Sequence, residues 1–93
     1  MRFEWDPKKA ASNLSKHRVA FEEGLTVFAD PLAKIFYDED HSIDEQREII
    51  IGHSVKHRLL LVCFAVRQGS IRIFGARKAT KQERKDYEEN ITP

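Results

Sequence analysis

The sequence predicts an α+β fold in the order β-α-α-β-β-β-β-α. An antiparallel β-meander of about four strands carries two N-terminal helices on one face, and a C-terminal helix follows. Three observations lead there. Before residue 30, apolar side chains recur at helical spacing. Between residues 33 and 76 they gather into short, β-prone runs parted by turn residues. A capping signal at Thr80 then opens a polar helix.

Each element has its own reason. "FEW" (3–5) is short, aromatic and β-prone, which suits an edge strand. In "DPKKAASNLSKH" (6–17), Asp6 can cap a helix and Pro7 fits its first position. Ala10, Ala11 and Leu14 give that helix a thin apolar stripe. A second helix is predicted over "FEEGLTVF" (21–28), where Phe21, Leu25 and Phe28 share one face. Gly24 weakens it by about 1 kcal/mol relative to alanine, and Pro31 stops it. Strands follow at "AKIFYD" (33–38), "REIIIGHS" (47–54), "RLLLVCFAV" (58–66) and "SIRIFGA" (70–76), with an acidic turn "EDHSIDE" (39–45) after the first. The polar link "VKH" and the glycine of "RQG" suit hairpin connections. Thr80 with Glu83 forms a capping box for "KQERKDYEEN" (81–90), whose apolar contacts fall to Tyr87 and Ile91. The run 58–66 is apolar at both parities and so is expected to be covered on both faces.

Composition narrows the function. The chain reads as one domain, 1–93, with 41% hydrophobic and 33% charged residues, ordinary for a soluble protein. No run approaches the roughly 18 apolar residues of a membrane span, and the N-terminus lacks the apolar core of a signal peptide. The single cysteine, Cys63, cannot form an internal disulfide; within an apolar run it reads as a reduced thiol, and a cytoplasmic location follows. His17, His41, His53 and His57 are scattered, without HExxH or CxxC, so no metal and no cofactor is expected. Nothing resembles a nucleophile elbow around Ser54, and the four glycines are isolated rather than grouped around a phosphate.

Charge is segregated although the net is only +1. Residues 38–48 hold six acids against one arginine, a net of −5. Residues 67–85 hold seven bases against one acid, a net of +6, centred where the last strand becomes the last helix. A solvated mixed surface is one reading of such a pattern; a site for a polyanion is the other. Metal-free RNA cleavage needs a proton acceptor for the 2′-hydroxyl, a cation for the charged phosphorane and a donor for the 5′-oxygen. Arginine suits the middle task because its planar fork stays charged and pairs with phosphate oxygens two at a time. Arg67, Arg72, Arg77 and Lys78 supply such cations. Strict alternation places Arg72 and Phe74 on one strand face but puts Arg77 with Ile71 and Ile73 on the other. A bulge at Gly75 would reset that register; otherwise Arg77 lies beyond the strand's end.

The segment "ARKATKQERKDYEE" (76–89) resembles the C-terminal signature of the BrnT family. "FEWDPKKAASNLSKHRVAFEEGLTVFADP" (3–31) is similar to that family's opening, and "DEQREIIIG" (44–52) to its strand entry. The resemblance spans nearly the whole chain, in order. It implies a RelE-like fold and the toxin half of a type II toxin–antitoxin pair, an endoribonuclease that lowers translation by cutting RNA. The partner it implies is a BrnA-like ribbon-helix-helix antitoxin, with oligomers in the toxin–antitoxin complex left open. Carried over, it marks His17, Glu45, Arg47, Arg67, Arg77 and Lys78 as catalytic candidates and Tyr87 as an RNA-binding one, to which the basic stretch adds Arg72 and Lys81. Arg67 and Arg77 would hold the phosphate, and Glu45, His17 or Lys78 would move protons. Tyr87 stacks on a base or anchors its own helix; Glu45 and Arg47 serve the site or pair with each other. Departures are Gly75 where serine is usual, Gly24 in place of alanine, and Ala20, which removes a capping side chain. A non-catalytic nucleic-acid-binding or partner-docking domain is the alternative.

Overall fold

The computed structural model describes residues 2–41 and 45–91, and for His41 and Ile91 the backbone only. Strand β1 (Arg2–Glu4) leads into α1 (Pro7–His17) and α2 (Phe21–Gly24), which continues as a 3-10 turn over Leu25–Ala29. Then come β2 (Lys34–Tyr37), β3 (Glu48–His53), β4 (Leu59–Arg67), β5 (Ser70–Lys78) and α3 (Lys81–Ile91). The five strands form one sheet in the order β1-β5-β4-β3-β2. The meander β2 to β5 is antiparallel as expected, but β1 joins β5 in parallel, so the sheet is mixed. No helix among the described residues is long and apolar enough to cross a membrane.

The caps fall where the sequence puts them. Asp6 accepts the Lys8 N–H at 2.8 Å, and Thr80 and Glu83 exchange backbone-to-side-chain bonds at 2.9 and 3.2 Å. Between β4 and β5, Gln68 and Gly69 both take positive φ, closing a two-residue hairpin. The helix expected over 21–28 divides at Gly24. Ala20 offers no side-chain cap, and the Thr26 hydroxyl takes the Glu23 carbonyl at 2.6 Å, so the second half tightens into the 3-10 turn. Part of the acidic turn, residues 42–44, lies outside the described residues.

Strand β4 divides the core in two. Leu60, Val62 and Phe64 pack with Val19, Phe21, Val27, Ile71 and Ile73 under the N-terminal helices. Trp5, Phe21, Phe28 and Phe64 add edge-on ring contacts there, with centroids 5.0 to 5.8 Å apart. On the reverse face Leu59, Leu61 and Ile51 pack with Tyr87 of α3. That helix covers only part of the face, as its sparse apolar content foretold. Helix α1 departs from its expected stripe: Ala11 and Leu14 are exposed, and Ala10, Asn13 and His17 turn inward instead.

A polar clamp fastens the β3–β4 hairpin to α2. Glu23, only 5% exposed, accepts from the Arg58 guanidinium on both oxygens and from the Ser54 hydroxyl at 2.7 Å. Arg58 holds this carboxyl below its ordinary range despite burial.

Candidate functional site

The sheet face opposite the N-terminal helices carries the arginines, and a single irregularity puts Arg77 on it with the others. Cys63 pairs with Gly75 but Phe64 pairs with Ile73, so Phe74 is an extra residue in β5. Beyond this bulge the alternation is reversed. Ala76 joins Ile71 and Ile73 in the core, and Arg77, across from Leu61, joins Arg72 on the other face. The bulge at Gly75 is therefore the correct alternative of the two the sequence allowed, and Arg77 lies within the strand.

Helix α1 holds the bulge in place. Strand β1 covers β5 only from Ser70 to Arg72. Past it, Asn13 substitutes for a neighbouring strand: its amide donates to Ala76 O at 2.8 Å and Val19 O at 2.9 Å, and its oxygen accepts the Ala76 N–H at 3.2 Å. One turn on, His17 faces the same concavity. The concavity encloses about 540 Å³ and is lined by His17, Asp38, Arg47, Cys63, Phe74 and Arg77 among others.

Phe74 is the floor around which the cations gather. The Arg47 guanidinium lies 3.8 Å from its ring centroid, and Arg67 and Lys9 lie at 5.6 Å. Carboxylates fix the arginines from outside. Glu83 grips Arg77 through two bonds of 2.8 and 2.9 Å, and Glu45 grips Arg67 through two of 2.8 and 2.5 Å. Glu4 stands 3.8 Å from Arg72. Each bidentate pair uses two of the five N–H groups of a guanidinium and orients the rest. The Arg77 bonds pull the Glu83 carboxyl down to about 2, and those of Arg67 lower Glu45. Burial, followed by the Asp38 hydrogen bond and charge, pushes the Cys63 thiol up to about 11; it stays protonated, with Sγ 3.5 Å from Asp38 Oδ2.

Of the nine residues named from the sequence, Arg47, Arg67, Arg72 and Arg77 share this face, His17 lines the cavity, and Glu45 is bonded to Arg67 rather than to Arg47. Three lie elsewhere. Lys78 pairs with Leu60 and so starts from the helix-covered side of the sheet. Lys81 is exposed at the start of α3. Tyr87 is 3% exposed and donates its hydroxyl to Asp30 at 3.2 Å, which makes it the anchor of its helix. Sequence reasoning assigned no role to Asn13, Asp38 or Phe74. Only Phe74 left a signal, an aromatic side chain at the parity of Arg72 beside a glycine. Among the described residues no group of three or more His, Cys, Asp or Glu side chains is placed to hold a metal ion.

Comparison with known proteins meets this geometry. Residues 5–83 match the family model described as the ribonuclease toxin BrnT of type II toxin–antitoxin systems. No curated protein matches the chain. A crystal structure of the Brucella abortus ribonuclease toxin BrnT superimposes with a TM-score of 0.67 over 87% of this chain and 99% of that one, at 24% identity, a likeness that carries the fold. With most of its length inside the family model, the chain belongs to the BrnT family of ribonuclease toxins from type II toxin–antitoxin systems, a membership that implies an antitoxin partner.

Proposed function

We propose that this chain is the toxin of its pair and lowers translation by cutting RNA at the cavity floored by Phe74. The observation that carries the reading is that Arg47, Arg67, Arg72 and Arg77 share one sheet face, where Arg47 and Arg77 line the same cavity as His17. The scissile phosphate lies against the unshared N–H edge of Arg77, and a neighbouring phosphate of the same strand lies against that of Arg67. Their charge is held by Glu45 and Glu83 in a fixed direction, so little reorganisation accompanies the build-up of charge on the phosphorane. The flat surface of Phe74 with Arg47 is suited to stack a base.

His17 takes part in the proton transfers. The 2′-oxygen loses its proton and attacks the adjacent phosphorus; the P–O5′ bond breaks and the leaving oxygen gains a proton. The products carry a 2′,3′-cyclic phosphate and a 5′-hydroxyl. Glu45, lowered in basicity by Arg67, acts in this scheme by positioning that arginine. Chemistry of this kind proceeds without a metal. A BrnA-like ribbon-helix-helix antitoxin neutralises the toxin, and the cytoplasm is where both meet their targets.

Incubating the purified chain with RNA in excess EDTA tests this directly. New 5′-hydroxyl and 2′,3′-cyclic phosphate ends are expected, and added antitoxin suppresses them. RNA retained by the protein but left whole would favour a non-catalytic binding domain instead.

A further inference from the structure

Strand β2 is one of the two edge strands of the sheet, yet it is built like an interior strand. After Lys34, its side chains Ile35, Phe36 and Tyr37 are apolar on both faces, as those of β4 are, but β4 is covered on both. In β2, Ile35 is 56%, Phe36 47% and Tyr37 49% exposed. Among the described residues no strand pairs with its outer side. Proteins ordinarily blunt such edges with charge, proline or bulges, because a flat apolar edge recruits another chain.

The hydrogen-bonding phase of this edge is defined. Asp38 N–H donates inward to Arg47 O at 2.9 Å. Inward and outward bonding alternate along an antiparallel ladder, so Lys34 and Phe36 also bond to β3. Ile35 and Tyr37 turn their N–H and C=O groups outward. A strand that satisfies all four groups must itself present two outward residues at the same spacing.

We infer that the occupant is β2 of a second copy, antiparallel across a two-fold axis through Phe36. In that register Ile35 of each copy faces Tyr37 of the other as a mutually hydrogen-bonded, β-branched–aromatic pair. The two Phe36 residues meet at the non-hydrogen-bonded centre, where Cα atoms approach to about 4.5 Å. Lys34 stands across from Asp38 at either end of the pairing, the Asp38 carboxylate remaining turned into the cavity. The flanking registers fail. Centring on Ile35 would require the Ala33 N–H, already given to Asp30 O at 3.1 Å. Centring on Tyr37 would require Glu39, where the strand has already turned into a 3-10 turn over Glu39–His41. A two-fold axis normal to the sheet also leaves the arginine faces of both copies looking the same way. The pairing does not rest on the nuclease reading.

Sedimentation of the full chain alone, over a wide concentration range, tests it. A concentration-dependent species of twice the 10.8 kDa monomer mass is expected. Tyr37→Pro removes an outward N–H and spares every inward one, so it should abolish the dimer with circular dichroism unchanged. Phe36→Cys should give a reducible cross-linked dimer under conditions where Val66→Cys, on another strand, stays monomeric. Three results would overturn the inference: a monomer at every concentration, a dimer that survives Tyr37→Pro, or an edge protected from hydrogen exchange only when antitoxin is added.

Discussion

Arg77 and its carboxylate partner link stability to chemistry at one position. Above about pH 4.5 the ionised Glu83 holds Arg77 and closes the cap of α3; its folded value of about 2 lies below its ordinary 4.5. A depressed carboxyl contributes stability above its unfolded value and loses it as pH falls toward the folded one. The Glu83 side chain is 29% exposed, so screening reduces the contribution to roughly 1–2 kcal/mol. Urea unfolding at pH 7 and pH 3 should therefore show wild type losing more stability than Glu83→Gln; equal losses would remove this role. In the proposed mechanism His17 bears on chemistry alone. His17→Ala should slow cleavage by about 10²–10⁴-fold while RNA affinity, read by filter binding, changes little. Arg72 was placed on its face by strand parity, a local property, whereas parity alone put Arg77 on the wrong one and gave no sign that Lys78 turns away. Tyr87 was legible only as one of two options, since the partner that settles it, Asp30, is 57 positions away in the chain.

At the scale of elements the bulge in β5 decides what faces what. Asn13→Ala removes three hydrogen bonds and leaves partly buried backbone groups of Val19 and Ala76 without them. A loss of about 1–3 kcal/mol in denaturant unfolding is expected, with a fall in cleavage as Arg77 loses its setting. Unchanged stability would show that the bulge holds itself. Gly24 is the converse case. An added Cβ there would meet Ala76 Cβ at 3.4 Å and Val62 Cγ2 at 3.5 Å, ordinary contact. Gly24→Ala should stabilise the chain by about 0.4–1 kcal/mol, mostly by restricting the unfolded state, measured as a raised denaturation midpoint. Element types and caps were readable because they follow from spacing and from short-range bonds, as at Asp6 and Thr80. The bulge was foreseen only as one of two options. Asn13, which fixes it from a helix 63 residues away, carries no local mark of that task.

Across the whole molecule the segregation of charge acquires a geometry. The basic stretch of the last hairpin and the arginine entering β3 meet on one face around Phe74, and carboxylates from β1, α3 and the segment before β3 stand at their outer sides. The strand order and the two-sided burial of β4 were legible from apolar runs and turns. The parallel attachment of β1 was not, because three residues of strand say nothing about direction. The measurement that bears most directly on the proposed placement of the phosphate compares two neighbours, Arg77→Ala and Lys78→Ala, in the same RNA-cleavage assay. Adjacent strand residues face opposite sides, and the bulge sets Arg77 rather than Lys78 on the arginine face. Loss of Arg77 should lower the rate about 10²–10³-fold, with Lys78→Ala close to wild type. Full activity in Arg77→Ala, or collapse in Lys78→Ala alone, would contradict the placement of the phosphate.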